Sequence, residues 1–155
     1  MKKRRRPKVK QPVKKHSSSS YPVSHQPKGE SVSHIVKTFL ELLNMVKVYH
    51  WNTLSFAQHK ATDELYGKLN EHIDSFIEVL LGKTQGRIDK MEKQMDMYSF
   101  HMNEEADFKH KIHEYRRFLI ELNGVFPSAE DSDLLNIRDE IVGDLNQFLY
   151  LMTFH

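Results

Sequence analysis

The chain has 155 residues, no cysteine and a formal net charge of +2. This length corresponds to one domain, and an apolar fraction of 39% is enough for one hydrophobic core. The absence of cysteine excludes a disulfide scaffold, a thiolate metal site and a cysteine nucleophile. No apolar run approaches the roughly 18 residues of a membrane span, and no apolar segment follows the basic N-terminus. We therefore expect an intracellular protein that is neither secreted nor bound in a membrane.

The positive charge is concentrated at the N-terminus. Residues 1–28 hold ten Lys or Arg and no acidic residue, whereas residues 29–155 hold thirteen basic and twenty-one acidic residues. Four prolines and a run of four serines interrupt the basic segment, and little of it can be buried. We predict a disordered arm over residues 1–29, acting as a solubilising tail, a nuclear-import signal or a DNA-binding arm. The residues expected to contact nucleic acid are Lys2, Lys3, Arg4, Arg5, Arg6, Lys8, Lys10, Lys14 and Lys15.

From residue 30 onward, apolar residues recur at intervals of three and four, which predicts α-helices. The predicted helices cover about 31–50, 56–82, 104–123 and 129–153. Ser55 and Gln58 have the spacing of a capping box at the start of the second helix. Ser128 is the expected N-cap of the fourth helix, and Asn123-Gly124 is the expected end of the third.

The lengths of the connections predict the topology. Short links join the first helix to the second and the third to the fourth, whereas residues 83–103 separate the second from the third. Two short-looped pairs joined by a long crossover are typical of a ferritin-like bundle. We therefore predict an all-α, ferritin-like four-helix bundle over residues 30–155. The crossover is predicted to contain a short helix whose apolar positions are Ile88, Met91 and Met95.

One face of the second helix carries histidine and carboxylate side chains. His59 and Asp63 are four residues apart, and so are Asp74 and Glu78. At 100° per residue, all four lie within about 100° of one another on the helix surface. The fifteen residues from His59 to Asp74 nevertheless span about 22 Å along the axis. The two pairs therefore cannot bind one ion within a single chain.

An antiparallel pairing of this helix with its copy removes the difficulty. The His59/Asp63 end of one chain then meets the Asp74/Glu78 end of the other, and each dimer has two equivalent sites. His50, at the end of the first helix, can join His59. Two imidazoles and three carboxylates suit iron, because carboxylate oxygens stabilise Fe(III). Such spacing is also common on solvated helix faces, so an ordinary surface pair of His59 with Asp63 remains open.

The residues His50-Trp51-Asn52, followed by His59, Asp63, Asp74 and Glu78, resemble the ferroxidase signature of the Dps family (miniferritins, DNA-binding proteins from starved cells). From His59 onward the family intervals His-x3-Asp-x10-Asp-x3-Glu are matched position by position, and the similarity covers about 31–82. The segment from His50 to His59 is a few residues shorter than is usual in Dps and lacks its usual glycine. In this respect the chain is similar to ferritin-like proteins of large DNA viruses and phages.

The resemblance implies a hollow homo-oligomer, a dodecamer, which oxidises Fe(II) with peroxide or oxygen and stores the ferric mineral. Its dinuclear iron sites would be shared between two subunits. His50 and His59 would be nitrogen ligands, and Asp63 a bridging or second-iron carboxylate. Asp74 and Glu78 of the partner subunit would be the main oxygen ligands. Trp51 beside the site would donate an electron, and the basic arm would bind DNA.

Two other functions are compatible with the sequence. One is a non-enzymatic DNA-packaging or structural protein, for example of a virion, on a ferritin-like scaffold. The other is a different metal-binding helical bundle, such as a DinB-like hydrolase with histidine ligands. No glutamate is followed by a histidine three residues on, as it is in many diiron bundles, which favours a site between subunits.

The remaining polar clusters are weaker candidates for a functional site. His110 and His113 are a weak candidate metal pair on the third helix, and His72 has no partner at ligand spacing. Acidic clusters at the starts of the third and fourth helices are expected to interact favourably with the helix dipoles. These clusters are Glu104, Glu105 and Asp107, and Glu130, Asp131 and Asp133.

Overall fold

The computed structural model describes residues 32–88, 94–98 and 104–154, which form four α-helices and contain no strand. The helices are α1 (Val32–Asn52), α2 (Phe56–Thr84), α3 (Glu105–Glu121) and α4 (Ser132–Leu151), and a 3₁₀ turn (Leu122–Gly124) follows α3. The all-α prediction is confirmed for this part of the chain. None of its helices is both long and apolar enough to cross a membrane. The predicted basic arm lies outside the described residues.

The contacts between helix ends define the direction of each helix. Gln58, at the start of α2, donates its side-chain N–H to Glu105, at the start of α3, over 2.7 Å. Lys83, near the end of α2, pairs with Asp133, near the start of α4, at 2.8 Å. Tyr49, near the end of α1, stacks on Phe108, near the start of α3, with centroids 3.8 Å apart. Thus α2 and α3 run in one direction, and α1 and α4 run in the opposite direction.

The four helices enclose one core. In cross-section α1 lies beside α2 and α3, and α4 also lies beside α2 and α3. Each helix contributes one almost fully buried phenylalanine to this core: Phe39, Phe76, Phe108 and Phe148. Burial of such a side chain stabilises the folded state by about 1.5–3 kcal/mol. Because α2 and α3 are parallel, the crossover has to return along the length of the bundle.

The described parts of the crossover, residues 86–88 and 94–98, are not helical. The short helix predicted there is absent from these residues, which include Ile88 and Met95, whereas Met91 lies outside the described part. The backbone N–H of Asp96 donates to the buried Glu41 carboxylate on α1 over 2.7 Å, rather than to a helical carbonyl. The Tyr115 hydroxyl on α3 donates to the Tyr98 hydroxyl over 3.1 Å. Residues 96–98 therefore lie against the middle of α1 and α3.

The predicted helix ends are partly correct. Ser55 caps α2 as expected, because its hydroxyl accepts the Gln58 N–H over 3.4 Å. The prediction that Ser128 caps α4 is wrong, since α4 begins at Ser132 with Asp131 at the N-cap position. The Pro127 carbonyl accepts the N–H groups of residues 130 and 131 at 3.0 and 2.9 Å, and this turn delays the helix.

The end of α3 is fixed by a side chain from α4. The guanidinium of Arg138 is buried and donates to the Leu119 carbonyl and to Asn123 Oδ1, each over 2.9 Å. The helix stops at Glu121 and tightens into a 3₁₀ turn, so the Asn123-Gly124 end is displaced by two residues. Arg138 thus satisfies one of the backbone carbonyl groups that the end of a helix leaves without partners.

Candidate metal centre

His50 and His59 form a reciprocal pair across the link between α1 and α2. His50 Nδ1 lies 3.0 Å from the carbonyl oxygen of His59, and His59 Nδ1 lies 3.0 Å from the carbonyl oxygen of His50. The two rings stack with their centroids 3.9 Å apart and their planes 24° apart. A carbonyl oxygen can only accept a hydrogen bond, so both Nδ1 atoms carry the proton. In this tautomer the lone pair lies on Nε2, the ring atom that can bind a metal.

The link that holds this pair is short but well bonded. The side-chain oxygen of Gln58 accepts the hydroxyl protons of Tyr49, over 3.0 Å, and of Thr53, over 2.7 Å. Its amide nitrogen donates to Glu105, so one side chain joins α1, α2 and α3. The short segment between the histidines, residues 51–58, therefore brings their rings face to face.

Tyr49 is strongly affected by this environment. Burial of its phenol raises its pKa to about 12, and the negative charge of Glu105 contributes in the same direction. The phenol therefore stays neutral and keeps donating its proton to Gln58 at physiological pH.

A buried threonine orients His50 further. Thr62 is fully buried, and its hydroxyl oxygen lies 3.2 Å from His50 Nδ1. The same hydroxyl donates to the Gln58 carbonyl over 2.7 Å, which leaves its oxygen to accept from the ring. Hydrogen bonds of this kind fix the tautomer and orientation of a metal-binding histidine. His50 is thus held by two acceptors while only 7% of its surface is exposed.

Asp63 pairs with His50 in a candidate half-site of two donors within one chain. Its Oδ1 lies 3.9 Å from His50 Nε2, and its side chain is 58% exposed. Two donors that bind one ion through bonds of about 2.1 Å can be at most about 4.2 Å apart. The separation of these two atoms therefore fits one bound divalent cation, and the exposure of Asp63 leaves the site open on its outer side.

Lys47 is a member of the site that the sequence analysis missed. Its Nζ lies 3.9 Å from Asp63 Oδ1 and 4.6 Å from the centroid of the Tyr66 ring. The ammonium group therefore shares the Asp63 carboxylate with His50. The sequence did carry a signal for Lys47. It lies three residues before His50, one turn earlier on the same side of α1.

Asp74 and Glu78 lie apart from this half-site, as the helical geometry predicts. Both are exposed on α2, and Asp74 is about 22 Å along the axis from His59. Within residues 32–88, 94–98 and 104–154, no three His, Asp or Glu side chains are close enough to hold a metal ion. Bringing all five predicted ligands to one ion would therefore require a second chain.

Trp51 belongs to an exposed apolar surface beside the histidine pair. Its side chain is 68% exposed, and those of Leu54 and Phe56 are 80% and 75% exposed. Trp51 follows His50 directly in the chain. In the single chain the indole faces solvent.

The other histidines have partners or positions that the sequence did not specify. His72 Nδ1 on α2 lies 2.8 Å from Asp144 Oδ2 on α4. This contact joins residues 72 positions apart, and no local spacing could predict it. His110 is 71% exposed and lies 3.5 Å from Glu114, and His113 is exposed as well. The weak candidate pair on α3 is therefore a surface feature.

The acidic residues at the start of α4 bind a lysine in addition to facing the helix dipole. Lys83 Nζ lies 3.1 Å from Asp131 and 2.8 Å from Asp133. The hydrogen bond with Lys83 lowers the pKa of Asp133, and the same bond raises the pKa of Lys83. This group ties α2 to α4 at the end of the bundle opposite the histidine pair.

The fold and the site define an all-α protein of four helices with a histidine–carboxylate half-site on α1 and α2. The model of a family of unknown function, DUF5856, matches residues 50–152, about two thirds of the chain. The chain therefore belongs to the DUF5856 family. The matched range contains all six predicted site residues, from His50 to Glu78, and excludes the basic arm. No curated protein and no solved structure matches the chain.

Proposed function

We propose that this protein is a Dps-like ferroxidase, built as a ferritin-like homo-oligomer that oxidises Fe(II) and stores the ferric product. The reciprocal pair of His50 and His59 carries the proposal, because both Nδ1 atoms are occupied and both Nε2 atoms remain for a metal. The distance of 3.9 Å between Asp63 Oδ1 and His50 Nε2 also supports the proposed binding of iron.

In the proposed reaction Fe(II) is the substrate. It binds at a dinuclear site, with ligands shared between the two ions from His50, His59 and Asp63 of one chain and from Asp74 and Glu78 of the partner subunit. Two Fe(II) ions supply the two electrons that, with two protons, reduce one hydrogen peroxide molecule to two water molecules. The carboxylates favour the reaction because hard anionic oxygens bind Fe(III) more tightly than Fe(II). Where only one Fe(II) ion is bound, it supplies one electron, and Trp51, next to His50, is the proposed donor of the second.

In this proposal Lys47 lowers the affinity of the site for iron. Without metal, its ammonium group neutralises Asp63 at 3.9 Å. A divalent cation at the same carboxylate weakens the contact with Lys47, because the two positive charges repel each other and solvent screens this repulsion only in part. Lys47 thereby keeps the affinity for iron moderate before oxidation.

The DNA-binding part of the proposal rests on charge. The segment 1–28 carries ten basic and no acidic residues, whereas residues 29–155 have eight more acidic than basic residues. Phosphate is repelled by the acidic body and attracted by the arm, so nucleic acid binds through the arm. Several arms on one oligomer add avidity.

The test is anaerobic loading of the purified protein with Fe(II), followed by hydrogen peroxide and recording of the near-ultraviolet ferric absorbance. We expect the double variant Asp74→Ala/Glu78→Ala to oxidise Fe(II) at the rate of free iron, while wild type is much faster. Glu140→Ala, which removes an exposed carboxylate of α4, is the matched control and should behave as wild type. Equal, slow oxidation in wild type and the double variant would overturn the proposal.

A second candidate is a non-enzymatic DNA-packaging or structural protein on the same scaffold. The observation that favours it is Lys47, whose ammonium group already pairs with the Asp63 carboxylate. In that case Lys47 and Asp63 are a permanent ion pair, and the histidines serve only to join α1 to α2. A protein that shifts DNA in a gel but neither binds nor oxidises Fe(II) would identify this function.

A further inference from the structure

Three glycines lie within helices at positions where the single chain has room for a side chain. They are Gly67 and Gly82 in α2 and Gly143 in α4, and a Cβ atom built at any of them would meet nothing within 4 Å. Glycine weakens a helix interior relative to alanine. Gly82 lies three residues before the left-handed residue Gln85 that ends α2, and its carbonyl accepts the Gln85 N–H. Gly67 lies far from either end of α2.

The position of Gly67 in the proposed dimer is defined by the ligands. In the antiparallel pairing His59 lies opposite Glu78, and Asp63 lies opposite Asp74. Both pairs have the same midpoint, between residues 68 and 69, so one register satisfies both. In that register Gly67 of one chain lies opposite Asn70 of the other, and both residues are exposed. At 100° per residue, Gly67 and Asn70 lie about 80° and 20° from His59, inside the ligand stripe.

The charges on α2 favour a second copy in this orientation. Residues 69–82 contain Glu71, Asp74 and Glu78 and no Lys or Arg. Residues 56–68 contain Lys60 and Lys68 but also Asp63 and Glu64, so their formal charges cancel, and Lys47 of α1 lies beside them. An antiparallel copy places the acidic half of each helix against this balanced half. A parallel copy would place the acidic halves together, and such like-charge contacts are unfavourable.

We infer that Gly67 marks the point where α2 crosses its copy, and that its missing side chain sets the separation of the two helices. The distance between packed helices depends on the side chains at their contact. A methyl group at this point pushes the helices apart and moves Asp74 and Glu78 of the partner subunit away from His50 and His59. Gly67 is therefore a positioning residue for the shared site, and this inference rests on the proposed function.

The test compares Gly67→Ala with Gly143→Ala, because a Cβ has the same open space at both positions in the single chain. Helix propensity predicts that both variants are at least as stable to urea as wild type. We expect Gly67→Ala to self-associate about tenfold more weakly by analytical ultracentrifugation and to bind Co(II), a spectroscopic probe, more weakly. Gly143→Ala should match wild type in both measurements. Wild-type self-association of Gly67→Ala would overturn the inference.

The iron assay separates this inference from the proposed function. Weakened association of Gly67→Ala in a protein that never oxidises Fe(II) would support the helix crossing and overturn the ferroxidase. Fast oxidation by wild type and unchanged association of Gly67→Ala would support the ferroxidase and overturn the crossing. Gly67→Leu extends the series, since a larger side chain should dissociate the oligomer further than alanine does.

Discussion

At the scale of single residues, the main feature is how the two histidines are oriented. In many metal sites a carboxylate accepts the second ring N–H of a histidine ligand. Here the acceptors are the backbone carbonyls of the opposite histidine, 3.0 Å from each Nδ1. Backbone groups cannot be removed by a side-chain substitution. The orientation of both rings therefore depends on the link between α1 and α2, and that of His50 depends also on Thr62.

Lys47 gives a prediction at this scale. Replacement of Lys47 by methionine keeps the aliphatic part of the side chain and removes the charge 3.9 Å from Asp63. We expect Lys47→Met to bind divalent cations about tenfold more tightly, because it removes a nearby positive charge that solvent screens only in part. Anaerobic Co(II) titration measures this affinity. Lys60→Met, which removes an exposed lysine near Phe56, should leave the affinity unchanged. A weaker affinity of Lys47→Met would contradict the competition between Lys47 and metal.

At the scale of the helices, the site end of the bundle depends on Gln58, which bonds to side chains of α1, of the link and of α3. Its two side-chain atoms contact Tyr49, Thr53 and Glu105 at 2.7–3.0 Å. The capping-box spacing of Ser55 and Gln58 correctly predicted where α2 begins. It did not predict that the Gln58 side chain would turn toward other helices, because that choice depends on which hydrogen-bonding groups the fold brings near.

Tyr49, which donates to Gln58, predicts that the stability of the protein depends on pH. Tyr49 has a pKa of about 12 in the folded protein, against about 10 when unfolded. The folded state holds the proton more tightly, so its contribution to stability is complete below about pH 10 and is lost as pH rises toward 12. We expect wild type to lose roughly 2 kcal/mol more unfolding free energy than Tyr49→Phe between about pH 9 and pH 12. Urea unfolding at the two pH values measures the difference, and identical losses would exclude this role of Tyr49.

At the scale of the whole molecule, charge is divided along the chain. Ten basic residues lie in the first 28 positions, and the remainder carries an excess of eight acidic residues. The carboxylates of α2 are proposed to bind a metal cation, whereas the cationic arm is proposed to bind a polyanion. The two functions should be separable, because no predicted metal ligand lies in the arm.

Deletion of residues 1–28 tests this separation. We expect the truncated protein to lose DNA binding and to keep the iron oxidation rate of wild type. With the arm present, the logarithm of DNA affinity should fall with the logarithm of salt concentration by roughly 0.9 per phosphate contact. Fluorescence anisotropy with labelled duplex over a salt series measures both effects. Loss of iron oxidation together with DNA binding after the deletion would contradict the division.

The sequence by itself determined the features that depend on distance along the chain. Apolar spacing located all four helices, and the rise per residue separated His59 from Asp74 by about 22 Å, so that one chain could not unite the predicted ligands. Only the tertiary structure decided which side chains meet across helices, because such contacts depend on how each helix is rotated and tilted against its neighbours. It stacked His50 on His59, brought Lys47 to Asp63 and paired His72 with Asp144.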